Sequence, residues 1–136
     1  MQHGLVGRRI FIFEDDVGNR AVMQTLLGQE GATVAFDRWG QDYQKKLENF
    51  APIDIILLDL MYPNNVSGFD IFDHISQLPA FADVPIVAVS AADAQPAMQK
   101  AKEKGFAGFI SKPISVRDFP KQLSSILDGH PVWGSM

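Results

Sequence analysis

IILLDLMYP, residues 55–63, is the stretch that decides the fold. Ile55, Ile56, Leu57 and Leu58 run without polar alternation, the pattern of a short strand covered on both faces, as in a parallel sheet between helix layers. The run ends on Asp59. An ionised carboxylate at the edge of such a core is costly unless other groups meet it there. What the rest of the chain brings to Asp59 therefore bears on both topology and chemistry.

Upstream, Ile10–Phe13 within RRIFIF form a second apolar run, and this one also ends in acids, Glu14, Asp15 and Asp16. Val22, Met23, Leu26 and Leu27 then recur at helical spacing until Gly28 and Gly31, and ATVAF, residues 32–36, reads as the next strand. Tyr43, Leu47 and Phe50 mark a second helix. After the opening stretch, Phe69, Phe72 and Ile75 mark a third helix, with a capping-box pattern from Ser67 to Asp70. PIVAVS, residues 85–90, is the fourth strand. A helix over about 96–104 has a weak stripe of Ala97, Met98 and Ala101, and AGFIS, residues 107–111, is the fifth strand. Phe119, Leu123, Ile126 and Leu127 define the last helix, with Asp118 expected as N-cap and Pro120 in the first turn. Residues 129–136 read as an irregular tail.

Five strands alternating with five helices imply right-handed βαβ crossovers and one parallel sheet covered by helices. The expected fold is α/β, a doubly wound (βα)5 three-layer sandwich. One domain over residues 1–136 is expected, with a core from about 9 to 128. Ligands of such sheets bind beyond the carboxyl ends of the strands, and those ends carry Glu14, Asp15, Asp59, Ser90 and, just past the fifth strand, Lys112.

The bulk numbers narrow the function. The 136 residues are 46% hydrophobic and 21% charged, with a net charge of −4, so there is no basic footprint for direct nucleic-acid binding. With no cysteine, disulfides, thiolate metal sites and Cys nucleophiles are excluded. No run approaches the ~20 apolar residues that span a bilayer, and the N-terminus lacks the apolar core of a signal peptide. A cytoplasmic location is expected.

Two or three carboxylates in one crevice repel by about 4 kcal/mol per pair at ~4 Å and an effective dielectric near 20, so a cation belongs there. An all-oxygen site with room for water and phosphate suits Mg²⁺, with Mn²⁺ able to take its place. Lys112 adds a fixed positive charge and Ser90 a hydroxyl. An Asp beside a divalent ion, a Lys and a hydroxyl is equipped to become an aspartyl phosphate.

FIFEDD, IILLDLMYP, VAVSAA and FISKP, in this order at successive strand ends, resemble the receiver domain of two-component response regulators, and the resemblance runs from about Arg9 to Leu127. It implies a flavodoxin-like sheet of strand order 2-1-3-4-5, taken over from chemotaxis-type receivers rather than read from this chain. It implies Asp59 as phospho-acceptor, Glu14 and Asp15 with Asp59 as metal ligands, and Met61 as a ligand through its backbone carbonyl. Ser90 would be the switch hydroxyl, Lys112 the phosphate-binding lysine and Phe109 the switch aromatic. Met61 and Ala92, two positions beyond acceptor and hydroxyl, would set the phosphoryl lifetime. A cis Lys112–Pro113 bond is frequent in the family. Tyr62 stands where Met is common, the 63–68 loop is about one residue longer than usual, and Phe109 lacks the hydroxyl of the frequent Tyr.

The function so implied is a single-domain response regulator that takes a phosphoryl group on Asp59 from a phosphohistidine. Its partners would be a histidine kinase or histidine phosphotransfer protein and a target protein at the face of helix 4, strand 5 and helix 5. A dimer is compatible with it, and turnover of an external substrate is not expected. An adaptor that acts without phosphorylation is the alternative, which the intact acids, Ser90 and Lys112 argue against. A phosphatase of Asp-x-Asp type is disfavoured by Met at position 61. Asp16 reads as a solvated loop acid. His3, His74 and His130 show no metal spacing, and His74 reads as a solvated face residue.

Overall fold

The computed structural model describes residues 4–38, 40–61, 67–91 and 94–134, and of Ala94 its backbone alone. The elements run β1 (Arg9–Phe13), α1 (Val17–Gln29), β2 (Thr33–Asp37), α2 (Tyr43–Phe50), β3 (Ile55–Leu58), α3 (Gly68–Ser76), β4 (Ile86–Ser90), α4 (Ala94–Lys104), β5 (Gly108–Ser111) and α5 (Phe119–Leu127). All strand pairs are parallel, in the order β2-β1-β3-β4-β5. The alternation of elements and the strand order agree with the expectations from sequence, and so do the helix stripes outside α1.

All four residues of β3 are fully buried, as an unalternating apolar run requires. Their side chains divide between two cores. Ile56 and Leu58 join Phe11, Phe13, Leu47, Phe72, Ala101, Phe106 and Phe109 on one face. Ile55 and Leu57 join Ile10, Ile12, Met23, Leu27, Val87, Phe119 and Leu123 on the other. Phe72 and Phe106 stack at 4.2 Å between centroids, which locks the loop before β5 to α3.

Local chemistry sets the helix starts. Ser67 caps α3, its hydroxyl accepting from the Phe69 amide at 3.1 Å. At α5 the expectation of an Asp118 side-chain cap fails. Asp118 precedes the helix in a helical conformation (φ −96°, ψ −21°) and its side chain caps nothing. A cap accepts best from an extended backbone. The turn begins earlier, where the Ser115 hydroxyl accepts from the Asp118 amide at 3.1 Å and the Ser115 carbonyl accepts from Phe119 at 2.8 Å. Pro120 does lie in the first turn. In α1, Met23 and Leu27 are buried while Val22 is exposed, so the apolar face is narrower than the four-residue pattern suggested. Among its described residues, 129–134, the tail has no regular secondary structure apart from one bridge, between Trp133 and Phe109.

Candidate functional site

Sheet register brings the strand ends together. Phe13 pairs with Leu58, and Ser90 with Ser111. One residue further, the Asp59 amide donates to the Phe13 carbonyl at 3.3 Å and the Lys112 amide to the Ser90 carbonyl at 3.0 Å. Glu14, Asp59, Ser90 and Lys112 are thus fixed on one rim by backbone pairing before any side-chain contact forms.

The side chains complete what the rim begins. The Lys112 ammonium lies 2.7 Å from Glu14 Oε1 and 2.9 Å from Asp59 Oδ2. Asp59 Oδ1 accepts from the Met61 amide at 2.9 Å. Glu14 and Asp59 are buried, 1% and 6% exposed, and Lys112 is the counter-charge that makes two buried carboxylates tolerable. This is what holds Asp59 at the end of an apolar strand. Burial pushes the Lys112 ammonium down in pKa, but its hydrogen bonds to Glu14 and Asp59 and the charges of both carboxylates outweigh it, so its pKa is raised above 10.5.

Asp15 stays exposed beside them. Glu14, Asp15 and Asp59 offer carboxylate oxygens that all lie within 4.8 Å of one another. Hard oxygen donors, with solvent reaching them on the Asp15 side, fit a hydrated Mg²⁺. Ser90 and Phe109 are buried, 1% and 0% exposed, on neighbouring strands. Met61 is 67% exposed. The Lys112–Pro113 bond is cis, as is Ala51–Pro52. Ala92, Tyr62, His3 and the loop over 63–66 lie outside the described residues.

Two supports were not read from the sequence. Arg20, in the second turn of α1, donates to the Glu14 carbonyl at 3.1 Å and the Asp15 carbonyl at 2.8 Å, fixing the acidic loop from behind. Its position shortly after the acids was the available signal. Asp16 is exposed, as read, but it also works as the α1 N-cap: its carboxylate accepts from the Asn19 amide at 2.8 Å, and its own amide donates to Glu14 Oε2 at 3.1 Å. His74 is exposed and shares a 2.5 Å hydrogen bond with the Tyr43 hydroxyl. Burial, and then the nearby Asp37 charge, raise the Tyr43 pKa.

A doubly wound sheet with an acidic pocket and a bridging lysine at its carboxyl edge defines a class of domains that bind their ligands beyond the strand ends. Comparison with known proteins narrows the class. The model of the response regulator receiver domain matches residues 10–124, and the chain belongs to that family. It is a receiver domain of the two-component response regulator type, and the family is one of signalling domains rather than substrate-turnover enzymes. The polar-differentiation response regulator DivK of Brucella ovis is 27% identical over 120 residues, covering 88% of this chain and 96% of that protein. The sensory transduction protein RegX3 of Mycolicibacterium smegmatis is 32% identical over 120 residues, covering 87% of this chain and 50% of that protein. The chain spans 53% and 57% of the Arabidopsis thaliana response regulators ARR6 and ARR7. The chemotaxis response regulator CheY4 of Vibrio cholerae has the same fold, with a TM-score of 0.79 and 20% identity over 89% of this chain and 99% of that one. Receivers of this family bind Mg²⁺ through acidic residues and interact with histidine kinases or phosphotransfer proteins and with downstream targets. Among the described residues, no helix is long and apolar enough to cross a membrane.

Proposed function

We propose that the chain acts as one receiver unit, with its core from about residue 9 to 128, that accepts a phosphoryl group on Asp59 from a phosphohistidine. The observation that carries this reading is the Lys112 ammonium bridging Glu14 Oε1 and Asp59 Oδ2 on a rim that also holds Asp15 and Ser90. A carboxylate oxygen of Asp59 attacks phosphorus. The P–O bond forms as the P–N bond breaks, and the imidazole nitrogen keeps the electron pair. Phosphoryl transfer of this kind asks mainly for positioning and charge neutralisation. A Mg²⁺ held by Glu14, Asp15, Asp59 and the Met61 carbonyl, or Mn²⁺ in its place, would supply the divalent charge when bound.

The remaining steps belong to the chain. The Met61 amide, on Asp59 Oδ1, orients the carboxylate. Lys112 moves from carboxylate to phosphoryl oxygen, exchanging one charge-assisted contact for another. The Ser90 hydroxyl turns to the new acceptor, and Phe109 follows into the space it leaves, altering the face of α4, β5 and α5 toward a target protein. Its kinase or phosphotransfer partner and that target are proteins, consistent with cytoplasmic signalling, and direct contact with nucleic acid or membrane forms no part of the reading.

Mass spectrometry after incubation with acetyl phosphate and Mg²⁺ tests this. Wild type should gain the mass of one phosphoryl group and Asp59→Asn none. No gain in wild type defeats the proposal and leaves the phosphorylation-independent adaptor.

A further inference from the structure

β5 is the outer strand beside β4, so its second edge is available for pairing, and such an edge is a template for any extended chain. This chain covers it with its own C-terminal segment. After α5 the backbone turns at Gly129 (φ 91°) and returns along β5. The Phe109 amide donates to the Val132 carbonyl and the Gly134 amide donates to the Phe109 carbonyl, both at 2.7 Å. Val132 is buried in the core lined by Phe119, Leu123 and Ile126. Trp133 packs on the opposite core, the one that contains Phe109, with the Lys102 ammonium 5.1 Å from its ring centre.

Two glycines make room for this segment. A β-carbon at Gly108 would lie 3.0 Å from the Val132 carbonyl oxygen, and one at Gly134 3.1 Å from Met98 Cε. Gly134 also has φ 90°, which disfavours any other residue. The segment is therefore a fitted part. Its backbone hold on β5 is two hydrogen bonds, both on the peptide groups of one residue, Phe109.

We infer that Pro131–Gly134 is a strap, closed over the β5 edge in the unmodified protein and released when Asp59 is loaded. The inference rests on the phospho-acceptor reading above. Phe109 lies three residues before Lys112, whose ammonium is on Asp59 and whose amide is on the Ser90 carbonyl. A phosphoryl group on Asp59 brings oxygens that compete for Lys112 and for the Ser90 hydroxyl. The end of β5 then shifts and Phe109 with it. The strap loses its register because both of its anchors ride on that residue. Closed, it denies the β5 edge to any other strand, and released, it opens that edge in the modified state alone.

Amide exchange by NMR tests this, with beryllofluoride and Mg²⁺ as a non-hydrolysing stand-in for the phosphoryl group. The Met61 amide, bonded to Asp59 Oδ1, reports loading, and the Phe109 and Gly134 amides report the strap. Loading should shift Met61 and speed exchange at Phe109 and Gly134 by about tenfold or more, the scale of ordinary site-to-site coupling. Asp59→Asn should show neither. A Met61 response with unchanged exchange at Phe109 and Gly134 overturns the strap and leaves the acceptor reading intact. No response at Met61 defeats both. Coupling is reciprocal, so Trp133→Ala should tighten beryllofluoride binding by the factor seen in exchange, while Trp133→Phe, which keeps an aromatic ring, stays near wild type. Unchanged affinity in the Ala variant also overturns the inference.

Discussion

Lys112→Met replaces the cation between Glu14 and Asp59 with an uncharged side chain of similar length. The two contacts, at 2.7 and 2.9 Å, are each worth about 6 kcal/mol at an effective dielectric near 20, before desolvation. Carboxylate oxygens 4.8 Å apart, the outer limit of the cluster, repel by about 3.5 kcal/mol on the same scale. Attraction exceeds repulsion while the lysine is present, and repulsion alone remains without it. Removing one partner of a buried pair costs roughly 3–5 kcal/mol in practice. With Asp15 in solvent, a loss of about 3 kcal/mol is expected, which lowers Tm by roughly 10 °C for a chain of this size. Denaturant unfolding in EDTA measures it. Mg²⁺ at about 100 times its Kd stabilises by about 2.7 kcal/mol through mass action. The variant should gain more than wild type, in which the ion competes with Lys112 for the same oxygens. The raised pKa of Lys112 means that its stabilisation is complete below the unfolded value and is lost as pH climbs through the folded one. The gap between the two proteins should stay flat from about pH 8 to 10 and close above 10.5. A cost below about 1 kcal/mol, the range of exposed pairs, or equal stabilisation of both proteins by Mg²⁺, refutes this account of the pocket.

Gly68→Ala should cost about 1–3 kcal/mol in thermal unfolding, because its β-carbon would lie 2.5 Å from the Asp59 carbonyl oxygen and 2.6 Å from Leu60 Cα, both backbone. Ser115→Ala should lower stability by about 1 kcal/mol through the lost α5 cap, and Asp118→Ala by less than half of that, a ranking that chemical denaturation reads directly. Neither Met61 nor Ala92 has a side chain that can orient an attacking water, so the phosphorylated form should hydrolyse slowly. The Met61→Asn, Ala92→Glu double variant should shorten its lifetime several-fold in a dephosphorylation time course, and an unchanged lifetime argues against this.

The strands and their order of appearance were legible because β1, β3 and β4 lie between helix layers and carry unbroken apolar runs that end in the candidate site residues. Strand ends are where a parallel sheet delivers its chemistry, so Glu14, Asp59, Ser90 and Lys112 could be grouped without knowing a single distance. Less legible was anything decided by backbone conformation. Asp118 and Ser115 are both good capping residues by composition, and only the dihedral angles select Ser115. Arg20 contributes through two main-chain carbonyls, which leave no mark on the acids that they belong to. The docking of Val132 and Trp133 on β5 depends on the space left at Gly108, a contact between residues more than twenty positions apart that no local pattern encodes.

Met61 and Ser67 form an antiparallel bridge, and the Gly68 amide donates to the Leu60 carbonyl at 3.2 Å. The end of β3 and the start of α3 are therefore tied directly to each other by main-chain contacts. Main-chain bonds of this kind survive any side-chain substitution except one to proline, which removes the donor. The spacing between Asp59 and the first turn of α3 is thus held by the backbone, so an exposed side chain such as Met61 can vary without moving the carboxylate.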